Sequence, residues 1–246
     1  MKKLLLAFVG VLILSGCTNK EMVTYYENTK AGGAIDSYQL DLRIYGTYNK
    51  KSYSEIVRVD NYKGTQLKID YISKNDARLN RDVIKEEVVD PTLESKEPNF
   101  EDPNGDPILD RLSEDTAIYV IDGKIYERKD GRYTEIESAL YSNPNVYLET
   151  ISKGSNIEFL FDEKIGEENY KVYTFKVSPT NMKPMLDDGV LKDLELKEDV
   201  SAKLWIDKDS RVYKVVYYIK DGTDKLEINA SIFRINSITD MSQRIR

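Results

Sequence analysis

Residues 38–45 read Tyr38-Gln39-Leu40-Asp41-Leu42-Arg43-Ile44-Tyr45, a run in which Tyr38, Leu40, Leu42 and Ile44 alternate with polar or amphipathic partners. Period-two alternation of this kind is the mark of a strand with one dry and one wet face. Two further runs follow, Ser54 to Asp60 and Gln66 to Ile72, separated by the turn Asn61-Tyr62-Lys63-Gly64. In the second, Leu67, Ile69 and Tyr71 share a face, so the three runs predict an antiparallel meander.

Working outward, Ile118 to Ile121, Lys124 to Arg128 and Arg132 to Glu135 are punctuated by Asp122-Gly123 and Asp130-Gly131. Asp-Gly pairs favour tight hairpins because both turn positions need positive φ. A strand is expected over Asn169 to Val177. Three more are expected over Ala202 to Asp207, Arg211 to Lys220 and Lys225 to Asn236, with turns at Asp207–Ser210 and Asp221–Asp224. The total is nine or ten strands. Helices are few. Asn143 and Pro144 open a helix that stops at Gly154. Asn181 to Leu196 places Met182, Met185, Leu186, Val190 and Leu194 near one helical face. Glu21 to Lys30 and Asn75 to Val89 are further helical stretches. The predicted fold is therefore mainly β, antiparallel sheet with a few helices, as a single body over residues 21–246.

The chain begins with Lys2 and Lys3, then an apolar run from Leu4 to Leu14, then Ser15-Gly16-Cys17. That is an export signal too short to span a bilayer as a mature helix. Leu14-Ser15-Gly16-Cys17 resembles the lipobox of bacterial lipoproteins. The resemblance implies removal of residues 1–16, acylation of the Cys17 sulfur, and a short tether of Thr18, Asn19 and Lys20. The protein would then be extracytoplasmic, on the outer face of the cell membrane. Cys17 is the sole cysteine of 246 residues. Two acyl chains hold a protein on a membrane far more firmly than one.

Composition excludes a good deal of chemistry. With no histidine and one cysteine, the chain has no Ser-His-Asp or Cys-His pair, no His-ligated metal and no internal disulfide. With 43 acidic residues some carboxylate pair can always be found, so such a pair identifies no catalytic site, and none is assigned. No cofactor is implied. After loss of Lys2 and Lys3, 34 basic residues face 43 acidic ones, a net charge of −9 that disfavours nucleic acid and polybasic membrane docking. Residues 86–115 alone carry that excess, with 11 acidic and 2 basic residues and four of the seven prolines, and read as an extended loop. Within it Asp102, Asn104, Asp106 and Asp110 have the spacing of a calcium loop. Pro107 stands where glycine is required and Ser113 where a bidentate Glu belongs, so a solvated loop is the better account and no metal is assigned.

The sequence Tyr119-Val120-Ile121-Asp122-Gly123-Lys124-Ile125-Tyr126, the strand Leu204-Trp205-Ile206-Asp207 and the order of elements around them resemble the lipoprotein-carrier superfamily. That superfamily includes the periplasmic lipoprotein chaperone and the mycobacterial lipid-binding lipoproteins. The resemblance implies a half-barrel whose concave side is closed by helices around an apolar cavity. It puts Tyr38, Leu40, Leu42 and Ile44 on the lining, with Met182, Met185 and Leu186 as cover, and lipid or another hydrophobic molecule as ligand. Tyrosine, with 18 copies, suits such a lining because an apolar ring carries a polar tip, but it is equally a favoured strand residue. The alternative is a non-catalytic module binding another envelope protein through its surface or the acidic loop.

Overall fold

Alternating sequence becomes strand, and the strands form one sheet. The computed structural model describes residues 19–48, 51–74, 118–129, 131–136, 145–186 and 194–245. The lipobox with Cys17, the helix expected over 75–89 and the acidic segment 86–115, including Asp102, Asn104, Asp106 and Asp110, lie outside the described residues.

The strands are β1 (Ser37–Tyr48), β2 (Lys51–Tyr62), β3 (Gln66–Lys74), β4 (Ile118–Ile121), β5 (Lys124–Lys129) and β6 (Arg132–Ile136). They continue as β7 (Ser155–Ile165), β8 (Glu168–Val177), β9 (Val200–Ile206), β10 (Val212–Asp221) and β11 (Asp224–Phe233). Their order is β6-β5-β4-β3-β2-β1-β11-β10-β9-β8-β7, antiparallel throughout, in a curved and unclosed sheet. Every pairing joins sequence neighbours except that of β1 with β11, which welds two meanders at the middle of the sheet.

Curvature follows from the chain's own connections. β6 and β7 occupy opposite edges yet are joined by residues 137–154 alone. Eleven strands laid flat are about 48 Å wide. That connection, with residues 146–153 helical, spans so far only if every remaining link is fully extended. Because its helical part is also buried against the sheet, the sheet must curl. Gly46 in β1 serves the bend: its φ is +143°, and a Cβ there would lie 2.1 Å from the carbonyl oxygen of Lys225 in β11.

Among the described residues three helices and two short 3-10 turns accompany the sheet: α1 (Lys20–Thr29), α2 (Val146–Glu149) running directly into the 3-10 turn Thr150–Lys153, α3 (Pro179–Leu186), and a second 3-10 turn at Ser242–Arg244. Asn19 caps α1 by accepting from the Glu21 amide at 3.1 Å. The helix expected from Asn181 to Leu196 instead starts at Pro179, after Ser178. The Ser178 hydroxyl accepts from the Asn181 amide, and proline takes the first helical position, where no N–H is needed. Leu194 and Leu196 fall in non-helical chain. The helix expected to run to Gly154 does end there, but its last turn is 3-10.

The expected hairpins form. Asp122 and Gly123 both have positive φ, +51° and +80°, which matches the twist of the strands they join. One strand, β7, was not expected. It carries two register shifts against β8, between Ser155 and Glu158 and between Phe159 and Phe161, with Asn156 at φ +52°. Each bulge moves the following side chains to the other face, so no alternation survives in the sequence. This brings the strands among the described residues to eleven.

Candidate functional site

Register places one set of side chains on the side of the sheet that meets the helices. Leu40 stands opposite Val59 on β2 and Ile232 on β11, Leu42 opposite Val57 and Ala230, and Ile44 opposite Ile228. Directly opposed residues share a face, and the row continues through Val215 and Tyr217 of β10 to Leu204 and Ala202 of β9 and Phe175 of β8. The helical layer adds Met22 from α1, Tyr147 and Leu148 from α2, Ile151 from the 3-10 turn, and Met182, Met185 and Leu186 from α3. All are buried in one continuous cluster. The structure thus brings together all seven residues singled out from the sequence: Tyr38, Leu40, Leu42, Ile44, Met182, Met185 and Leu186. Cys17 lies outside the described residues.

Sequence reasoning missed Met22, Tyr147 and Ile151 as cover. Their signal was present, since Met22 lies within the expected first helix and Tyr147, Leu148 and Ile151 recur at helical spacing. Tyrosine proves a poor guide to the inner face, which is mostly aliphatic. Tyr45, Tyr62, Tyr119, Tyr126, Tyr133, Tyr170, Tyr213 and Tyr218 belong to the outer face by register and packing. There Tyr170 stacks on Tyr213 at 4.3 Å, and the C-terminal segment packs Met241 against Tyr119 and Ile121.

Charge is segregated in the same way. Among the described residues the buried charged groups are Asp41, Lys203 and Lys214, and all three lie on the outer face. Arg58 donates to Asp41 at 2.9 Å, and the Lys214 ammonium sits 4.6 Å from the centre of the Trp205 indole. The Trp205 indole N–H donates to Glu163 of β7.

Polar groups on the inner side stitch the helices down. Asn145, at the cap position of α2, makes no side-chain bond to its own helix. Its side-chain oxygen instead accepts from the Tyr38 hydroxyl and, at 2.6 Å, from the Asn61 amide. Asn61 also donates to the Tyr38 oxygen at 2.9 Å. The Tyr217 hydroxyl donates to the Tyr147 carbonyl at 2.7 Å, Val212 N–H to the Thr29 hydroxyl of α1 at 2.7 Å, and the Asn181 amide of α3 to the Lys153 carbonyl at 3.1 Å. Burial holds the Tyr38 and Tyr217 hydroxyls neutral well above the usual phenol range. The inner side is thus greasy and uncharged at its buried positions, with neutral hydrogen bonds confined to the seams between layers.

No helix among the described residues is long and apolar enough to cross a membrane. No protein-family model matches the sequence, and no curated protein matches it. Among solved structures, the crystal structure of LprF from Mycobacterium bovis is similar with a TM-score of 0.52 at 11% identity, over 90% of this chain and 95% of that one. The lipoprotein LppX from Mycobacterium tuberculosis aligns at TM-score 0.43 and 9% identity over 92% and 96%, and a LolA superfamily protein from Nitrosomonas europaea at 0.31 and 9% over 94% and 97%. At such identities the likeness is one of fold. With its unclosed eleven-stranded sheet and helix-backed inner face, the chain shares the fold of LprF.

Proposed function

We propose that this protein is a lipid-anchored extracytoplasmic lipoprotein whose single body, residues 21–246, binds a lipid or another hydrophobic molecule between the inner sheet face and the helices. The observation that carries the reading is the aliphatic, uncharged inner face roofed by Met22, Met182 and Met185. Methionine is flexible and polarizable, and it repacks around guests of different shape at little cost. Tyr38, Leu40, Leu42 and Ile44 line the site, and Met182, Met185 and Leu186 cover it. The role is passive and non-catalytic: apolar walls shield acyl chains from water, and the Cys17 lipid keeps the body at its source membrane, on the outer face.

The test is organic extraction and mass spectrometry of protein purified without its anchor. A stoichiometric lipid is expected. An extract free of lipid would overturn the reading in favour of an envelope-protein partner, reached through the acidic residues 86–115. The anchor is tested separately by Cys17→Ser, which should move the protein from the membrane to the soluble fraction.

A further inference from the structure

Four large apolar residues are exposed among those described, and three are consecutive in β7: Phe159 at 53%, Leu160 at 39% and Phe161 at 37%. β7 is an edge strand, paired with β8 alone. The bulge between Phe159 and Phe161 takes three successive side chains out of ordinary alternation, so neither face of the sheet buries the group.

This patch lies close to the start of the mature chain. The Phe159 ring meets Tyr173 edge-on at 5.7 Å, and Tyr173 meets Tyr25 of α1 at 5.9 Å. α1 in turn packs on the 3-10 turn that leads into β7. From Cys17 to the first residue of α1 the chain reaches at most about 11 Å, and from there to Tyr25 is about 7.5 Å along the helix. An acyl group on Cys17 therefore holds the aromatic row within a short distance of the lipid.

We propose that Phe159, Leu160 and Phe161 form a membrane-contacting edge, with the apolar boundary of the bilayer that holds the Cys17 lipid as their partner. The inference rests on the lipid-anchor reading. A strand from a second copy is the poorer occupant, because two bulges distort the backbone edge and the exposed acids Glu158 and Asp162 flank the patch. The same acids, on a chain of net negative charge, make the contact apolar rather than electrostatic. Tethering supplies a high effective concentration, so shallow and individually weak insertion suffices.

The experiment uses the acylated protein in phosphatidylcholine vesicles. The Cys17 thiol is consumed by its lipid, so Leu160→Cys accepts a single environment-sensitive fluorophore, and Lys208→Cys in the β9–β10 turn serves as control. The label at 160 should shift to the blue and be quenched by lipids bearing a nitroxide near the headgroup, while the label at 208 is not. The quenching should be lost with Phe159→Ser and Phe161→Ser, unchanged Trp205 emission reporting an intact fold. It should survive added salt and partial replacement by anionic phosphatidylglycerol. Equal quenching at 160 and 208 would overturn the proposal. So would a blue shift at 160 that vanishes as protein is diluted among vesicles, which would assign the patch to a second copy. Flotation of the unlabelled protein reports the anchor independently. If it does not float, a Cys17→Ser form held by an N-terminal hexahistidine tag on nickel-chelating lipid gives the same quenching readout, and the same outcomes decide.

Discussion

Each polar atom of the Asn61 side chain is engaged. Its amide donates to Tyr38 and Asn145, and its oxygen accepts from the Gly64 amide at 3.1 Å. Asn61 and Tyr38 are buried, so truncation leaves groups that water cannot reach. Asn61→Ala should cost about 2–3 kcal/mol in urea unfolding, and Tyr38→Phe, which removes one hydroxyl and keeps the ring, about 1 kcal/mol. Gly46→Ala acts on the backbone instead. A Cβ would strike the Lys225 carbonyl and Leu226 Cα across the β1–β11 pairing, in a φ region that L-residues rarely adopt. A loss of about 2–3 kcal/mol is expected, read as a lower urea midpoint. Asn61 was visible in the sequence only as a turn residue, and Gly46 lay just past the alternating run that ends at Tyr45. Their partners, Asn145 and Lys225, are far away along the chain, so local pattern held no trace of either contact.

Strands that alternate were legible as elements. β1 to β6 and β8 to β11 were read from hydrophobic period and turn residues, because one-sided burial or flanking turn residues mark each of them. β7 was not, because its bulges break the period and most of its side chains are exposed. α3 was found from Met182, Met185 and Leu186, but its start was misplaced, since Ser178-Pro179 outweighs the apolar spacing as a boundary. The seven residues proposed for the site were legible as buried residues because inner-face strand residues and a Met-bearing helix are both apolar by necessity. Which helices cover which strands was not, because it depends on where the sheet's edges lie. The same difference in burial predicts local stability. In native-state hydrogen exchange, amides of β10 and β11, central and buried, should exchange only with global unfolding. Those of β7 should exchange earlier, and a uniform protection pattern across the sheet would contradict this ordering.

The molecule as a whole has no histidine, and once Cys17 is acylated, as proposed, no side chain has an ordinary pKa between about pH 6 and 9. Stability should be flat across that range. Above it, buried phenols take over. Burial raises Tyr38, Tyr217, Tyr45 and Tyr218, with the Glu227 carboxylate adding to the last two. In the unfolded chain these groups ionise near pH 10, while in the fold they keep their protons, so the unfolded state binds fewer protons above that point. Stability is therefore complete below about pH 10 and falls as pH rises towards the folded values, by about 1.4 kcal/mol per pH unit for each such tyrosine. Urea midpoints at pH 8 and pH 11, with tyrosinate absorbance followed alongside, check this. The buried phenols should ionise together with unfolding rather than before it.

The link between β6 and β7 works on this bowl as a drawstring works on a purse. Both lips are ends of one cord, and the cord is knotted at Asn145 and again where Tyr217 holds α2. On the proposed reading, a guest would widen the mouth only as far as that connection allows, so the girth of what is held would be set by a connecting segment rather than by the walls.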